Sequence, residues 1–154
     1  RVLAMTADLP SAIKKVGVFV NEPIEVVRNV ATIAKLDMIQ LHGDEDMAYI
    51  RQLDLPVIKA VSSLAQVENY DHVILLFDSP KGGSGAPFDW QSVSADRIKL
   101  PYFIAGGLTA DNVAEAIAHF PNAYGVDVSS GVETEGQKDR VKIREFIQNA
   151  KIRK

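Results

Sequence analysis

An aspartate at the end of a short apolar run lies where acid–base chemistry is expected. Asp78 directly follows ILLF at residues 74–77, which has the composition of a buried strand. In α/β proteins, the carboxyl ends of such strands carry the reactive groups. Because apolar neighbours disfavour an ionised carboxyl group, we expect Asp78 to stay protonated near neutral pH and to act as a general acid. The structural alternative is that Asp78 only caps a turn or a helix.

Polar side chains also mark other predicted strands. Gln40 and His42 are two residues apart at the end of MIQL, so strand alternation points them to the same side. Asp127 lies between valines in AYGVDV, where an acid is costly unless it is hydrogen-bonded or paired. Lys59 lies within PVIKAV, and a lysine inside a strand needs a polar reason. The alternatives are that it points into a barrel interior, that it points toward the barrel mouth, or that its stem lies along apolar surface while its charge reaches solvent. His42 alone fits a structural histidine, but polar groups that converge on one rim favour a ligand site.

Small residues end the last two predicted strands. They are Gly106 and Gly107 in the first case, and Ser129, Ser130 and Gly131 in the second. Small residues let backbone N–H groups approach a ligand closely, and the helix that follows favours an anion. In βα-barrels, a phosphate often lies on the loops after the last two strands. The alternative is two tight turns that need glycine only for the backbone.

Another glycine-rich segment follows Asp78 directly and is interpreted differently. It comprises Gly82, Gly83, Ser84 and Gly85. No Lys-Ser or Lys-Thr pair follows it at the spacing of a nucleotide-binding P-loop. We therefore predict a loop that covers the site, with a plain connector as the alternative.

Six apolar segments separated by helical patterns position these residues. The segments are residues 15–20, 38–41, 56–61, 73–77, 102–105 and 123–128. Strands that alternate with helices at intervals of roughly 20 residues indicate parallel βα units. No linker divides them, so one domain over residues 1–154 is predicted. A doubly wound sheet fits six strands, whereas an eight-stranded barrel needs roughly 200 residues or more, and the pattern leaves both folds open.

Start signals and apolar spacing predict the helices. Residues 1–8 have the composition of the end of a helix. Asn21 and Pro23 predict a capped helix start, and three acids at residues 44–46 suit the positive end of the next helix dipole. Thr109 is predicted to cap a helix with one apolar face, and a last helix is predicted over about residues 139–150.

Composition excludes several classes of function. The chain has 154 residues, a net charge of −3 and no cysteine, which argues against a general nucleic-acid binder, a disulfide framework and a zinc–thiolate site. The three histidines lack the spacing of a metal site, so no metal is predicted. There is no apolar run of membrane-spanning length and no signal peptide at the start, so a cytosolic (cytoplasmic) protein without a membrane partner is predicted.

Six motifs in a fixed order give the chain a family resemblance. They are KVGVFVNE, QLHGDE, LLFDS, GGSGAPFDW, AGGL and GVDVSSGVE. With them, the chain resembles phosphoribosylanthranilate isomerase of tryptophan biosynthesis over about residues 9–150. The resemblance implies an eight-stranded βα-barrel (TIM barrel), in which the six predicted strands correspond to the third to the eighth. It thereby favours the barrel over the doubly wound sheet.

The resemblance also implies a reaction and the residues that serve it. The family carries out an Amadori rearrangement of N-(5-phosphoribosyl)anthranilate to 1-(2-carboxyphenylamino)-1-deoxyribulose 5-phosphate without a cofactor, as an aldose–ketose isomerase. Its general acid, which protonates the ribose ring oxygen, aligns with Asp78. Its substrate contacts align with Gln40, His42 and Asp127. Its phosphate site aligns with the backbone around Gly106, Gly107, Ser129 and Ser130.

The chain departs from the family pattern at the general base. In the family, that base is a cysteine on the first strand, and this chain has no cysteine and no such strand. A family arginine just before the second helix is absent as well. We therefore expect the 154 residues alone to turn over little substrate, since a general base contributes about a hundred- to ten-thousand-fold.

Two further hypotheses stay open. Six barrel strands leave two exposed edges, which favours a non-catalytic phosphate-binding fragment that pairs with another chain or forms a homodimer. A related phosphosugar barrel enzyme, such as an epimerase or indoleglycerol-phosphate synthase, is disfavoured by the FDW and QLHG motifs.

Overall fold

Six parallel strands form one sheet, in the order in which they occur along the chain. The computed structural model describes residues 2–78 and 93–151. The strands are β1 (Val16–Phe19), β2 (Met38–Leu41), β3 (Val57–Val61), β4 (Ile74–Phe77), β5 (Tyr102–Ile104) and β6 (Gly125–Val126). Each strand falls within a segment predicted from the apolar runs, and the parallel α/β prediction is confirmed.

Helices alternate with these strands. They are α1 (Val2–Thr6), α2 (Ile24–Ala34), α3 (Met47–Ile50), α4 (Leu64–Val67), α5 (Val113–His119) and α6 (Arg140–Lys151). The chain also forms short 3-10 turns at Ala95–Arg97 and Ser130–Val132. α2 buries Val27, Ala31 and Ala34 on one face, as the helical spacing predicts.

The start of α2 differs from the prediction. Pro23 occupies the N-cap position without a side-chain hydrogen bond, so Asn21 is not the cap. Asn21 instead has a left-handed backbone with a φ of 54°, and its Oδ1 accepts a hydrogen bond from the N–H of Asp44 at 2.7 Å. The asparagine therefore links the loop after β1 to the loop after β2. Local sequence cannot reveal this link because it joins residues that are 23 positions apart.

Among the other predicted helix starts, that of α3 is confirmed and that of α5 is wrong. Asp46 caps α3, since its Oδ1 accepts a hydrogen bond from the N–H of Tyr49 at 2.8 Å. Thr109 does not cap α5, which begins only at Val113. The N–H of Thr109 instead donates to Asn112 Oδ1 at 2.8 Å, so a turn precedes the helix.

β6 is shorter than its apolar run predicts. On either side of it, the N–H of Tyr124 donates to the carbonyl of Tyr102 at 2.7 Å, and that of Asp127 donates to Ile104 at 2.8 Å. Tyr124 is 73% exposed and Asp127 is exposed as well. The apolar run therefore does not continue as a buried strand.

A small antiparallel hairpin between β6 and α6 is a feature that the sequence analysis missed. Its strands are β7 (Glu133–Thr134) and β8 (Gln137–Lys138). Glu135 and Gly136 form the two-residue turn, with φ values of 52° and 74°, as in the type I′ turns that suit hairpins. Strands of two residues are too short to produce an alternating apolar pattern, so periodicity cannot detect them.

The chain divides into two compact units. Unit 1 comprises residues up to 60 together with 68–74, and unit 2 comprises residues 61–67 together with those from 75 onward. Buried residues of unit 1 include Phe19, Val27, Ile39, Leu41 and Val57. In unit 2, the Tyr102 ring packs edge to face against Phe77 and Phe120, with centroid distances of 5.9 and 6.1 Å. A single domain over residues 1–154 stays a prediction.

Candidate functional site

In unit 1, Gln40 and His42 lie together at the end of β2. Gln40 Nε2 is 3.2 Å from His42 Nδ1, so both side chains point to the same side, as strand alternation predicts. The N–H of His42 donates to the carbonyl of Phe19 at 2.9 Å, which extends the pairing of β1 with β2 past Leu41. Both side chains are half-buried, so they are neither sealed in the core nor freely solvated.

Lys59 is the buried charged residue of β3. Its side chain is 1% exposed, and its Nζ donates to the carbonyl of Gly43 at 2.6 Å and to Glu45 Oε2 at 3.3 Å. Register places Lys59 beside Leu41, on the opposite face from Gln40. Lys59 therefore does not snorkel into solvent, and it does not share the face of the predicted substrate contacts. Its ammonium group holds the loop that follows β2.

Glu45 is the main acceptor in this loop. Its Oε1 accepts a hydrogen bond from the N–H of Asn21 at 2.7 Å, and its Oε2 accepts one from the N–H of Gly43 at 3.0 Å. Burial raises the pKa of Glu45, but backbone hydrogen bonds and the Lys59 charge outweigh burial and lower this pKa below its ordinary value of 4.5. The carboxylate is thus held ionised although it is buried.

We call Asn21, Gly43, Glu45 and Lys59 the unit 1 network. A Cβ atom on Gly43 would collide with the side chain of Asn21, so the two loops are in direct contact here. The network fixes the residue that follows His42 and thereby the end of β2. The acids at residues 44–46 were interpreted as partners of the helix dipole, so the role of Glu45 was missed. A lysine inside a strand needs a polar partner, and this signal could have identified the network.

In unit 2, Asp78 and Asp127 occupy matching positions across the sheet. Register pairs the last residues of β4, β5 and β6 with one another. One residue further along, these strands are followed by Asp78, Ala105 and Asp127. Residues in one row of a parallel sheet share a face, and two strand spacings separate the aspartates by about 10 Å at the backbone. The two acids therefore lie on the same face at the same edge.

The surroundings of the two aspartates differ. Asp78 is half-buried, its N–H donates to the carbonyl of Val61 at 3.1 Å, and Phe77 before it is 0% exposed. Asp127 is exposed because β6 ends at Val126. The cost expected for an acid buried between two valines therefore does not arise at Asp127.

The loops after β5 and β6 contact each other. Gly106 and Gly107 have φ values of 75° and 69°, in the left-handed region. The carbonyl of Gly107 accepts a hydrogen bond from Asn112 Nδ2 at 3.0 Å, which fixes its orientation. A Cβ atom on Gly131 would collide with the carbonyl oxygen of Leu108, so only glycine allows the two backbones to approach this closely.

Ser129 and Ser130 are exposed in the loop after β6. Lys138 on β8 donates to the carbonyl of Ser129 at 2.9 Å and to its Oγ at 3.2 Å. Lys138 could not be identified from the sequence, because its contact with Ser129 exists only once the hairpin has formed. The edge of unit 2 thus carries two aspartates, two glycines and two serines of the predicted site. Lys138 contacts one of these serines, Ser129.

Three further predictions concern a metal site, a membrane span and the covering loop. Within the described residues, no group of three or more histidines, cysteines, aspartates and glutamates is arranged to hold a metal ion. None of the helices in residues 2–78 and 93–151 has both the length and the apolar character needed to cross a membrane. The residues of the predicted covering loop, Gly82, Gly83, Ser84 and Gly85, lie outside the described residues.

Known proteins match this chain over almost its whole length. A family model for N-(5′-phosphoribosyl)anthranilate isomerase matches residues 4–149. The N-(5′-phosphoribosyl)anthranilate isomerase of Streptococcus gordonii is 47% identical over 153 residues, covering 96% of this chain and 76% of the relative. That of Bacillus cereus is 44% identical, over 94% of this chain and 76% of the relative.

Solved structures agree with the sequence matches. The phosphoribosyl anthranilate isomerase of Thermotoga maritima is 37% identical, with a TM-score of 0.86 over 97% of this chain and 78% of that one. A phosphoribosyl anthranilate isomerase in complex with reduced 1-(o-carboxyphenylamino)-1-deoxyribulose 5-phosphate gives a TM-score of 0.83 at 37% identity, over 97% and 77%. These relatives select the TIM-barrel prediction over the doubly wound sheet. The chain belongs to the phosphoribosylanthranilate isomerase family.

Proposed function

We propose that this chain carries the general acid and the phosphate site of a phosphoribosylanthranilate isomerase of tryptophan biosynthesis. The reaction is the Amadori rearrangement of N-(5-phosphoribosyl)anthranilate to 1-(2-carboxyphenylamino)-1-deoxyribulose 5-phosphate. One observation carries the proposal: Asp78 and the small-residue loops after β5 and β6 belong to the same edge of unit 2. An acid and an anion site at one edge suit a phosphorylated sugar that must be protonated.

Asp78 is the proposed general acid. It gives its proton to the ribose ring oxygen, the bond from that oxygen to C1 breaks, and the nitrogen lone pair forms the Schiff base. A base then removes the proton from C2, and the electrons move onto nitrogen to give the enol of the product. The half-buried position of Asp78 at the carboxyl end of β4 supports this role, because parallel α/β folds carry their reactive groups at this end of the strands.

The backbone of the two small-residue loops is the proposed phosphate site. Its residues are Gly106, Gly107, Ser129 and Ser130. Exposed or half-buried positions and left-handed glycines leave N–H groups near the surface, where they can bind an anion. The contact between Gly131 and the carbonyl of Leu108 supports a single site shared by both loops.

Gln40, His42 and Asp127 are proposed as further substrate contacts. The hydrogen bond between Gln40 and His42 fixes both side chains before a substrate arrives, which reduces the entropy lost on binding. Asp127 is exposed on the same face as Asp78, and its carboxylate is suited to accept hydrogen bonds from sugar hydroxyl groups.

The general base of the family is a cysteine, and this chain has no cysteine to serve as that base. We expect the 154 residues alone to be about a hundred- to ten-thousand-fold slower than a family enzyme that has its base. The assay follows the loss of phosphoribosylanthranilate fluorescence over time. Full activity of these residues alone would refute the assignment of the base to the family cysteine.

The test of Asp78 needs a protein that supplies a base. We define the hybrid enzyme as this chain joined to the part of the Streptococcus gordonii isomerase that it does not match. In it, Asp78→Asn should lower kcat at least about a hundred-fold, because a positioned acid contributes at least that much. Affinity for the reduced deoxyribulose phosphate that binds a relative should change little.

The control for this variant is Asp111→Asn, which removes an exposed carboxylate of the same unit. It should leave both kcat and affinity unchanged. If Asp78→Asn abolishes turnover and binding together, Asp78 has a structural role instead. If it leaves turnover intact, Asp78 is not the acid.

A second candidate function is a non-catalytic module that pairs with another chain or with itself. It is favoured by β1, the first strand of the sheet, where Val16 and Val18 are 38% and 59% exposed, and by Val20 directly after it, which is 57% exposed. Exposed apolar residues on an outer strand favour association. Sedimentation velocity should then show self-association, and a clean monomer at high concentration would count against this candidate. The isomerase of Thermotoga maritima is itself dimeric.

A further inference from the structure

The hairpin of β7 and β8 has no part in the proposed function so far. Its turn at Glu135 and Gly136 reverses the chain, and its register sets Lys138 opposite Glu133. The hairpin therefore returns Lys138 to the start of the loop that follows β6. A turn with two left-handed residues is specific enough to require an explanation.

The ammonium group of Lys138 makes three hydrogen bonds within this segment. It donates to the carbonyl of Ser129 at 2.9 Å, to Ser129 Oγ at 3.2 Å and to Glu133 Oε1 at 2.6 Å. An ammonium group has three N–H donors, so these partners engage all of them. Lys138 thus acts on Ser129 and not directly on an anion, although its side chain is 52% exposed.

The hairpin is anchored to α6. Thr134 Oγ1 donates to Asp139 Oδ2 at 2.8 Å, and Asp139 also accepts hydrogen bonds from two N–H groups in the first turn of α6. The Thr134 hydroxyl and these N–H groups lower the pKa of Asp139, so its carboxylate stays ionised at neutral pH. From α6, Lys142 Nζ donates to the carbonyl of Glu133 at 2.6 Å. Both residues of β7 are therefore held against the start of α6.

The contact with the Ser129 carbonyl also orients the next N–H group. In a trans peptide, the carbonyl and the following N–H point in opposite directions, and the described residues contain no cis peptide. Since Lys138 holds the carbonyl of Ser129 on its own side, the N–H of Ser130 is directed away from Lys138. The ammonium group also offsets the negative end of that carbonyl, which would otherwise repel a nearby anion.

We propose that Lys138 is a positioning residue for the phosphate group of the substrate. It fixes the peptide between Ser129 and Ser130, so that the N–H of Ser130 is presented to the phosphate. This inference rests on the proposed function, because it assumes the phosphate site on the two small-residue loops. Lys138 does not touch the substrate and acts through Ser129.

Titration with inorganic phosphate tests the inference without requiring catalysis. The amide signals of Gly106, Gly107 and Ser130 are followed by NMR in the 154-residue protein at constant ionic strength. Lys138→Met should weaken phosphate binding about ten-fold, because the charge-assisted hydrogen bonds that hold Ser129 are lost. Lys138→Arg keeps a cationic donor and should recover most of the affinity.

Lys142→Met is the matched control. Lys142 also donates to a carbonyl of the hairpin, at Glu133, and its loss removes the same charge, while the hydrogen bond from Thr134 to Asp139 still joins the hairpin to α6. Its phosphate affinity should stay within about two-fold of the unchanged protein, because a single screened charge contributes little. In the hybrid enzyme, Lys138→Met should raise KM about ten-fold and change kcat little, since phosphate binding is uniform between ground and transition states.

The outcomes separate the inference from the proposed function. If the unchanged protein binds no phosphate, the proposed phosphate site is wrong and the inference falls with it. If the unchanged protein and Lys138→Met bind phosphate equally, only the inference is overturned. Equal losses in Lys138→Met and Lys142→Met would also overturn it, because net charge would then explain both. Should Lys138→Met fail to fold, Lys138→Gln, which keeps a neutral donor, is measured with the same expectation.

Discussion

Two lysines, one in each unit, bind the carbonyl of a loop that follows a strand, but their burial differs. Lys59 binds the carbonyl of Gly43 in unit 1. Its side chain is 1% exposed, and that of its partner Glu45 is 2% exposed. Lys138 binds Ser129 in unit 2 and its side chain is 52% exposed. The same donor and the same kind of acceptor thus occur once inside the protein and once at its surface.

The difference in burial decides what each lysine contributes. A buried charge that loses its partner is costly, so the unit 1 network is coupled to folding. A half-exposed ion pair contributes little to stability because water and salt screen it. Lys138 therefore has room to serve a ligand site without being required for the fold, whereas Lys59 can affect a site only through the stability of the loops that it joins.

The largest expected effect is that of Lys59→Met. The variant leaves Glu45 buried without its cation, and the free energy of unfolding should fall by about 3–5 kcal/mol. Denaturation with urea measures it. The control is Lys14→Met, which breaks an exposed pair with Asp37 at 3.7 Å and should cost less than about 1 kcal/mol. Similar losses in both variants would erase the distinction between buried and exposed pairs.

The double variant Lys59→Met, Glu45→Gln should recover more than about 1 kcal/mol of that loss, because the uncompensated charge is then gone. Glutamine retains one carbonyl oxygen for the N–H of Asn21 or of Gly43, so recovery should be partial. A double-mutant cycle from urea denaturation gives the coupling energy between the two residues. Strictly additive losses would mean that the ion pair does not act as a unit.

Acid should destabilise the unit 1 network through Glu45. Its pKa in the folded state lies below the ordinary value of 4.5, so its stabilising contribution is complete above that value. The contribution is lost as the pH falls below 4.5 and through the lower pKa of the folded state. Stability measured between pH 6 and 3 should therefore fall less steeply in Glu45→Gln than in the unchanged protein, and parallel curves would contradict the prediction.

Lys138→Met should change the free energy of unfolding by less than about 1 kcal/mol, in contrast to Lys59→Met. The same urea experiment measures both variants under identical conditions. A loss as large as that of Lys59→Met would mean that the hairpin is required for the fold of unit 2. Its effect on phosphate affinity would then be judged from Lys138→Gln and Lys138→Arg.

The smallest expected effect concerns a buried group that lacks a partner. Among the described residues, the Tyr102 hydroxyl is the buried side-chain polar atom without a hydrogen bond, whereas the ammonium group of Lys59 has two hydrogen-bond partners. Tyr102→Phe removes it and should leave stability unchanged or raise it by up to about 1 kcal/mol. Tyr124→Phe, at a position that is 73% exposed, is the control and should have no effect. A clear loss of stability in Tyr102→Phe would mean that its hydroxyl is paired.

The sequence predicted well those elements that depend on local pattern. Apolar runs identified all six parallel strands, and helical spacing identified the buried face of α2 with Val27 and Ala31. The acids at residues 44–46 identified the start of α3, because the attraction of acids to the N-terminus of a helix is a local interaction. The alternation that joins Gln40 to His42 is likewise a property of two neighbouring residues on one strand.

What the sequence did not reveal depends on contacts between distant segments. Asn21 is a residue type that often caps helices, but its side chain binds the N–H of Asp44. Thr109 is also a common capping residue, but it lies in a turn before the helix. The position of Lys59 inside a strand indicated that it needs a polar partner, but the pattern did not identify which one. Its partner Glu45 is 14 residues away and was interpreted as an acid of a helix start. Lys138 gave no signal, since its hairpin has strands of only two residues.

The contact of Gly131 with the carbonyl of Leu108 has a consequence for protein engineering. Any side chain introduced at residue 131 must push the two loops apart, so this position accepts a single amino acid unless both loops are redesigned together. An attempt to make the protein accept a larger anion would therefore begin at this pair of backbones. Substituting Ser129 or Ser130 would alter hydrogen-bonding groups but would leave the distance between the two backbones unchanged.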